Sequence, residues 1–250
     1  MRRLLKVLLV VLVGLLGYGV GLAQPHVLRP PLVPGQDAAG DPAGARAVVS
    51  LDDVGGRVLS VRPEADADIL FVLYPGGLVR PQAYEWLGRA LAGRGVHTVI
   101  PEFPVDLAVL DAGRAQRLVD HYAAGRPVVV GGHSLGGAMA AAWASDHPDA
   151  VAGLVLLAAY PPDGDDLSGT TVPVLSLYGE HDEVADLDTV LGAADSLPSS
   201  ASFVEVTGSV HSFFGRYGPQ SGDGVPTVSR ADAEAAIAEA VGDFLDGIGI

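Results

Sequence analysis

Between Pro127 and Ala144 the chain reads PVVVGGHSLGGAMAAAWA. Three valines form a short β-branched run, and AMAAAWA is built from good helix formers. Gly131-Gly132-His133-Ser134-Leu135-Gly136-Gly137 joins the two. A strand that turns straight into a helix across G-x-S-x-G lifts its serine off the end of a sheet. Gly132 and Gly136 would omit Cβ atoms where the sharp turn brings backbone segments together. Ser134 would then stand at a helix N-terminus, where free N–H groups and the dipole favour negative charge. The N–H of Leu135 would point at a developing oxyanion. Two other readings fit the same letters: a serine that only caps the helix, and a glycine-rich turn that holds a phosphate. The surrounding pattern decides among them.

Upstream, AVVSLDD and RVLSVRP flank Val54-Gly55-Gly56 as a hairpin pair. DILFVLYPGG is a continuous apolar run, as a strand buried on both faces requires. A helix is expected over Tyr84 to Arg94, stopped at Gly95, then a strand at VHTVIPEF and a helix near Asp111 to Ala123. Downstream of the serine, AGLVLLAA and VPVLSLYG read as strands. A helix falls within Ala185 to Ser196, SFVEVTG is a last strand, and Ser229 caps a C-terminal helix. Strands alternating with helices predict an α/β fold with a mostly parallel central sheet and helices on both faces. Active residues of such sheets collect at the carboxyl ends of the strands.

The first residues follow a different pattern. MRRLLK is cationic, and an apolar run extends from Val7 to Leu22, ending in Gly21-Leu22-Ala23. That is the form of a secretory signal peptide or, uncut, of an N-terminal membrane anchor, over residues 1–23. Residues 24–45, rich in Pro, Gly and Ala, read as a linker, and 46–250 as one domain. The expected location is outside the cytoplasm, secreted or anchored to the outer face of the cytoplasmic membrane.

Composition narrows the chemistry. With 15 basic against 30 acidic residues and a net charge of −15, the chain is a poor partner for nucleic acid or an anionic membrane surface. The absence of cysteine excludes disulfides, thiolate metal sites and a cysteine nucleophile.

A serine nucleophile needs a base, and the base an orienting acid. In the order Ser, then Asp or Glu, then His, the base comes late in the chain. Of seven histidines His211, in GSVHSFFGRYG, has that position. The acid belongs just past the strand VPVLSLYG, where Asp182 is favoured over Glu180 and Glu183. A second oxyanion donor belongs to the loop Tyr74-Pro75-Gly76-Gly77-Leu78, with the Gly77 N–H first and Leu78 next.

GHSLGG, GEHDEV and GSVHSFF, in that order, resemble the α/β-hydrolase family over roughly Ala47 to Ile250. The stretch from Tyr74 to Leu110 looks like a compact bacterial branch of it, in the style of dienelactone-hydrolase-like proteins. Two departures stand out. Pro75-Gly76 occupies the oxyanion loop where many members have His-Gly, and the cysteine common in the dienelactone group is absent. The resemblance implies a Ser134-Asp182-His211 triad, an oxyanion hole at Leu135 and Gly77, and ester hydrolysis through an acyl-enzyme with no metal or organic cofactor. The gap between the last central strands, Ala159 to Thr171, is too short for a helical cap domain, so an open site for small or accessible esters is expected. Asp163, Asp165 and Asp166 lie in that gap, either near the mouth of the site or as a solvated turn. Two alternatives remain at this point: an envelope acyltransferase with the same triad, and a non-catalytic binding protein on the same fold.

Overall fold

A computed structural model of the chain describes residues 2–27, 32 and 46–248. Most of the expected linker, 28–31 and 33–45, lies outside the described residues. The first helix, α1 (Arg2–Val27), carries the apolar run with Val10, Leu15 and Val20 exposed. Among the described residues no helix is long and apolar enough to cross a membrane.

Eight strands form one sheet: β1 (Val48–Asp53), β2 (Arg57–Arg62), β3 (Ile69–Tyr74), β4 (Val96–Pro101), β5 (Val128–His133), β6 (Gly153–Leu157), β7 (Val174–Gly179) and β8 (Ser202–Val206). Their spatial order is β1-β2-β4-β3-β5-β6-β7-β8. The β1–β2 hairpin and the β2–β4 pair are antiparallel, and every pair from β4 to β8 is parallel.

The apolar run of β3 shows why the sheet is covered twice. Ile69, Phe71 and Leu73 enter one core, and Leu70, Val72 and Tyr74 the other. Side chains alternate along a strand, so a strand apolar at every position must bury both faces. Helices α2 (Glu85–Ala92) and α6 (Arg230–Ile248) cover the first face with Leu87, Leu91, Ile237 and Leu245. Helices α3 (Arg114–Tyr122) and α4 (Leu135–Asp146) cover the second with Leu118, Ala140, Trp143 and Ala144. Each large aliphatic buried here contributes about 1.5–3 kcal/mol relative to exposure. The short α5 (Leu187–Gly192) adds Val190 to the first core.

The elements follow the sequence pattern closely, with two local differences. The expected helix from Tyr84 begins as a 3-10 turn over Pro81–Tyr84 and becomes α-helical only at Glu85. Proline near the start favours such a turn, since its missing N–H costs nothing there. The helix expected near Asp111 starts at Arg114, after two 3-10 turns over Pro104–Asp106 and Ala108–Asp111. Ser229 does cap α6, accepting from the Asp232 N–H at 3.1 Å.

Candidate active site

Ser134 follows β5 and precedes α4 with φ 52° and ψ −127°. A non-glycine residue in this region is strained, and the strain persists because its surroundings hold it. The Ser134 N–H donates to the Leu157 carbonyl of neighbouring β6 at 3.0 Å. The glycines expected to relieve crowding sit at contact distance. A Cβ on Gly136 would lie 2.2 Å from the Pro75 carbonyl oxygen, and one on Gly132 would lie 2.5 Å from the Gly136 carbonyl carbon. The serine makes no side-chain cap bond to its helix, so the capping reading of this residue falls away.

His211 opens a 3-10 turn after β8, and Asp182 lies just beyond β7. Both are carboxyl-end positions of parallel strands. The His211 Nδ1 donates to Asp182 Oδ2 at 2.8 Å, with both side chains nearly fully buried. The other carboxylate oxygen, Oδ1, accepts from the Val184 and Ala185 N–H groups, each at 2.8 Å. Three donors therefore orient the carboxylate, and His211 keeps its Nε2 for the cavity. Glu180 is engaged elsewhere, accepting from the Gly208 N–H at 2.8 Å, and Glu183 is exposed.

Ser134, Leu135 and His211 line one cavity of about 280 Å³ together with Ala138, Ala159 and Tyr160. Ser134 and His211 share it without a hydrogen bond between them among the described residues. Such contacts are commonly long in a substrate-free enzyme and tighten when substrate binds. Among the described residues the lining holds no Asp, Glu, Lys or Arg. Asp163, Asp165 and Asp166 are not part of it; Asp166 instead accepts from the Ser168 N–H in its own turn.

The loop after β3 has its amides assigned one by one. The Gly76 N–H donates to Tyr84 Oη at 2.9 Å, and the Val79 N–H to the Gly76 carbonyl at 3.1 Å. The Leu78 N–H donates to the Asp106 carbonyl at 2.8 Å, so it has no free donor to offer. Among the described residues, no hydrogen bond takes up the N–H of Gly77 or of Leu135. Gly77 packs against Leu135, with 3.2 Å between the place its Cβ would take and Leu135 Cδ2.

Three other histidines have different surroundings. His97 Nε2 pairs with Ser60 Oγ at 2.8 Å in the sheet, and His147 Nδ1 with the Trp143 carbonyl at 2.9 Å. His133 is buried behind the serine, its Nδ1 2.9 Å from Tyr84 Oη. Burial, and then the neighbouring His211, hold the His133 imidazole well below its usual range, so it stays neutral.

Two further residues escaped the sequence reading. Asp223 accepts from the N–H groups of His211 and Ser212 at 2.9 and 2.8 Å and so anchors the turn that carries His211. Tyr84 anchors the loop after β3. Neither has a local sequence signal, because each meets its partners only through the fold. Among the described residues, no group of three or more His, Asp or Glu side chains is arranged to hold a metal ion.

A strained serine between strand and helix shares one cavity with the Leu135 N–H and with His211 of the buried Asp182–His211 pair. A sequence model of the alpha/beta hydrolase family matches residues 70–235.

The chain belongs to the alpha/beta hydrolase family.

Solved structures of this hydrolase fold are similar over most of the chain. A predicted CIB-like hydrolase from Thermoplasma acidophilum has a TM-score of 0.62 at 18% identity, covering 80% of this chain and 98% of its own. Est1E from Butyrivibrio proteoclasticus has a TM-score of 0.60 at 15% identity, over 81% and 98%. An esterase from Pyrobaculum calidifontis has a TM-score of 0.57 at 19% identity, over 79% and 85%. At these identities the likeness is one of fold. A search of curated proteins found no match. As in a compact alpha/beta hydrolase, no helix stands between β6 and β7, and among the described residues no large cap covers the site.

Proposed function

We propose that this hydrolase cleaves carboxylic esters of small or accessible substrates through Ser134, His211 and Asp182. The observation that carries the reading is the strained Ser134, which opens on the same cavity as the buried Asp182–His211 pair. His211 Nε2 takes the hydroxyl proton as Ser134 Oγ attacks the ester carbonyl. The N–H groups of Gly77 and Leu135 hold the oxyanion that forms. Collapse of the tetrahedral intermediate breaks the C–O bond, and His211 returns the proton to the leaving alcohol. Water then repeats the sequence on the acyl-enzyme and releases the acid. Asp182 keeps the imidazole in the tautomer with Nδ1–H and stabilises its cation.

The uncharged lining favours neutral acyl groups, since a carboxylate there would be desolvated without a partner. Export also belongs to this proposal, on the cationic start and the apolar run Val7–Leu22, with the N-terminal segment either cut or left as an anchor. N-terminal sequencing of protein recovered from the envelope distinguishes a start at Met1 from a start near Gln24.

A fluorophosphonate probe tests the nucleophile. Wild type labels, and Ser134→Ala does not; equal labelling of both removes Ser134 from this role. Asp182→Asn keeps the fold and lowers kcat by about 10⁴ on p-nitrophenyl esters. Full activity in that variant shifts the acid elsewhere.

A further inference from the structure

Tyr84 Oη is fully buried and stands between two groups, the Gly76 N–H at 2.9 Å and His133 Nδ1 at 2.9 Å. An amide can only donate, so Gly76 uses an acceptor lone pair of the phenol. In the neutral His133 tautomer with its proton on Nε2, the phenol's single proton is directed at His133 Nδ1. The chain Gly76 N–H, Tyr84 O–H, His133 Nδ1 is thus directional. It links the loop after β3 to the residue beside the nucleophile. The approach is tight: a Cβ on Gly76 would lie 2.8 Å from His133 Nδ1 and 3.1 Å from Tyr84 Oη.

We propose that Tyr84 and His133 are positioning residues that aim the Gly77 N–H at the oxyanion. The inference rests on the esterase reading above and adds what holds one of its donors. Three bonds pin the loop on either side of Gly77. Two are backbone bonds, from the Val79 N–H to the Gly76 carbonyl and from the Leu78 N–H to the Asp106 carbonyl. The third, to Tyr84, is made by a side chain. The first of these holds the peptide whose other end is the Gly77 N–H, and the Tyr84 bond holds the peptide before it. Without the phenol hydroxyl, Gly76 keeps a buried N–H with no acceptor, and the loop must move to find one. A donor that has moved contributes less to the oxyanion, because it is no longer aimed at the position that the oxyanion takes. His133 in turn gives the phenol proton its acceptor. The Tyr84 turn is also tied to the His211 region, since the Arg216 N–H donates to the Ala83 carbonyl at 2.7 Å.

The test is Tyr84→Phe, read on p-nitrophenyl butyrate and on its thionoester, in which sulfur replaces the carbonyl oxygen. Sulfur is a weak acceptor, so the thionoester draws little from an oxyanion hole. The expected result is a kcat lowered about tenfold or more on the oxygen ester with KM little changed, and a smaller loss on the thionoester. His133→Leu gives the same pattern. His133→Asn, whose amide oxygen can stand near the Nδ1 position, recovers most of the oxygen-ester preference. An unchanged oxygen-to-sulfur ratio in Tyr84→Phe overturns the inference, as does an equal loss on both substrates accompanied by a lower Tm. Should Tyr84→Phe fail to fold, the contrast between His133→Asn and His133→Leu decides, and equal ratios in those two overturn it. If wild type neither labels with fluorophosphonate nor turns over either ester, the esterase reading fails and takes this inference with it. A wild type that is active beside an unaltered Tyr84→Phe fails the inference alone.

Discussion

Asp182 uses both carboxylate oxygens, one for two backbone amides of its own turn and one for His211. That division separates it from Glu180 and Glu183, which stand within three residues of it. Distance from the strand end favours Asp182, and among the described residues only this carboxylate meets the imidazole. A different buried histidine adds to the acid sensitivity of the fold. Burial first, and then the charges of Arg126 and Arg62, lower the His97 pKa from 6.5 to about 4, with Asp52 opposing. The unfolded chain therefore binds this proton between about pH 6.5 and 4 while the folded chain does not. Stability is full above pH 6.5 and falls as pH drops toward 4, by roughly 3 kcal/mol at most from this group. His97→Gln keeps an amide near Nε2 for Ser60 and removes the titration. Urea midpoints at pH 7 and 4.5 should differ less in this variant than in wild type, and an identical difference assigns the acid sensitivity elsewhere.

At the scale of elements, the junction of β5 and α4 leaves no spare volume. A Cβ on Gly136 would overlap backbone atoms of Tyr74 and Pro75, which cannot turn aside as a flexible side chain can. Gly136→Ala should therefore lower stability by several kcal/mol, on the order of the larger core substitutions, or prevent soluble expression. Gly192 offers the opposite case. It ends α5 with φ −64°, and a Cβ there meets nothing within 4 Å. Gly192→Ala should raise stability by about 0.4–1 kcal/mol through the unfolded chain. Chemical denaturation of the two variants checks both, and a tolerated Gly136→Ala would mean that the turn is far looser than its contacts imply. Elements of this kind were legible beforehand because their signals are local: the β-branched run of β5, the alanine-rich α4, the Ser229 cap. The two 3-10 turns between β4 and α3 were not, since Val105 and Asp106 adopt positive φ that their sequence does not announce.

For the whole molecule, the short connection from β6 to β7 leaves the cavity without a helical cover, and its volume of about 280 Å³ is at the small end for ligand sites. Short acyl esters should thus be turned over with higher kcat/KM than long ones, with p-nitrophenyl acetate and butyrate well ahead of the palmitate. A preference for palmitate would require a larger acyl site than this cavity provides. The sequence by itself determined the double-sided parallel sheet, the serine at its strand-to-helix turn, and the order in which Ser134, Asp182 and His211 arrive. Those features rest on periodicity, on residue type and on position relative to strand ends, all carried by neighbouring residues. Only the tertiary structure decided that the Leu78 amide is taken by Asp106, that Asp223 anchors the His211 turn, and that Tyr84 joins Gly76 to His133. Each of these is a hydrogen bond between segments distant along the chain. Its geometry is set by how the loops pack at the carboxyl edge of the sheet, and no local preference of the residues encodes it.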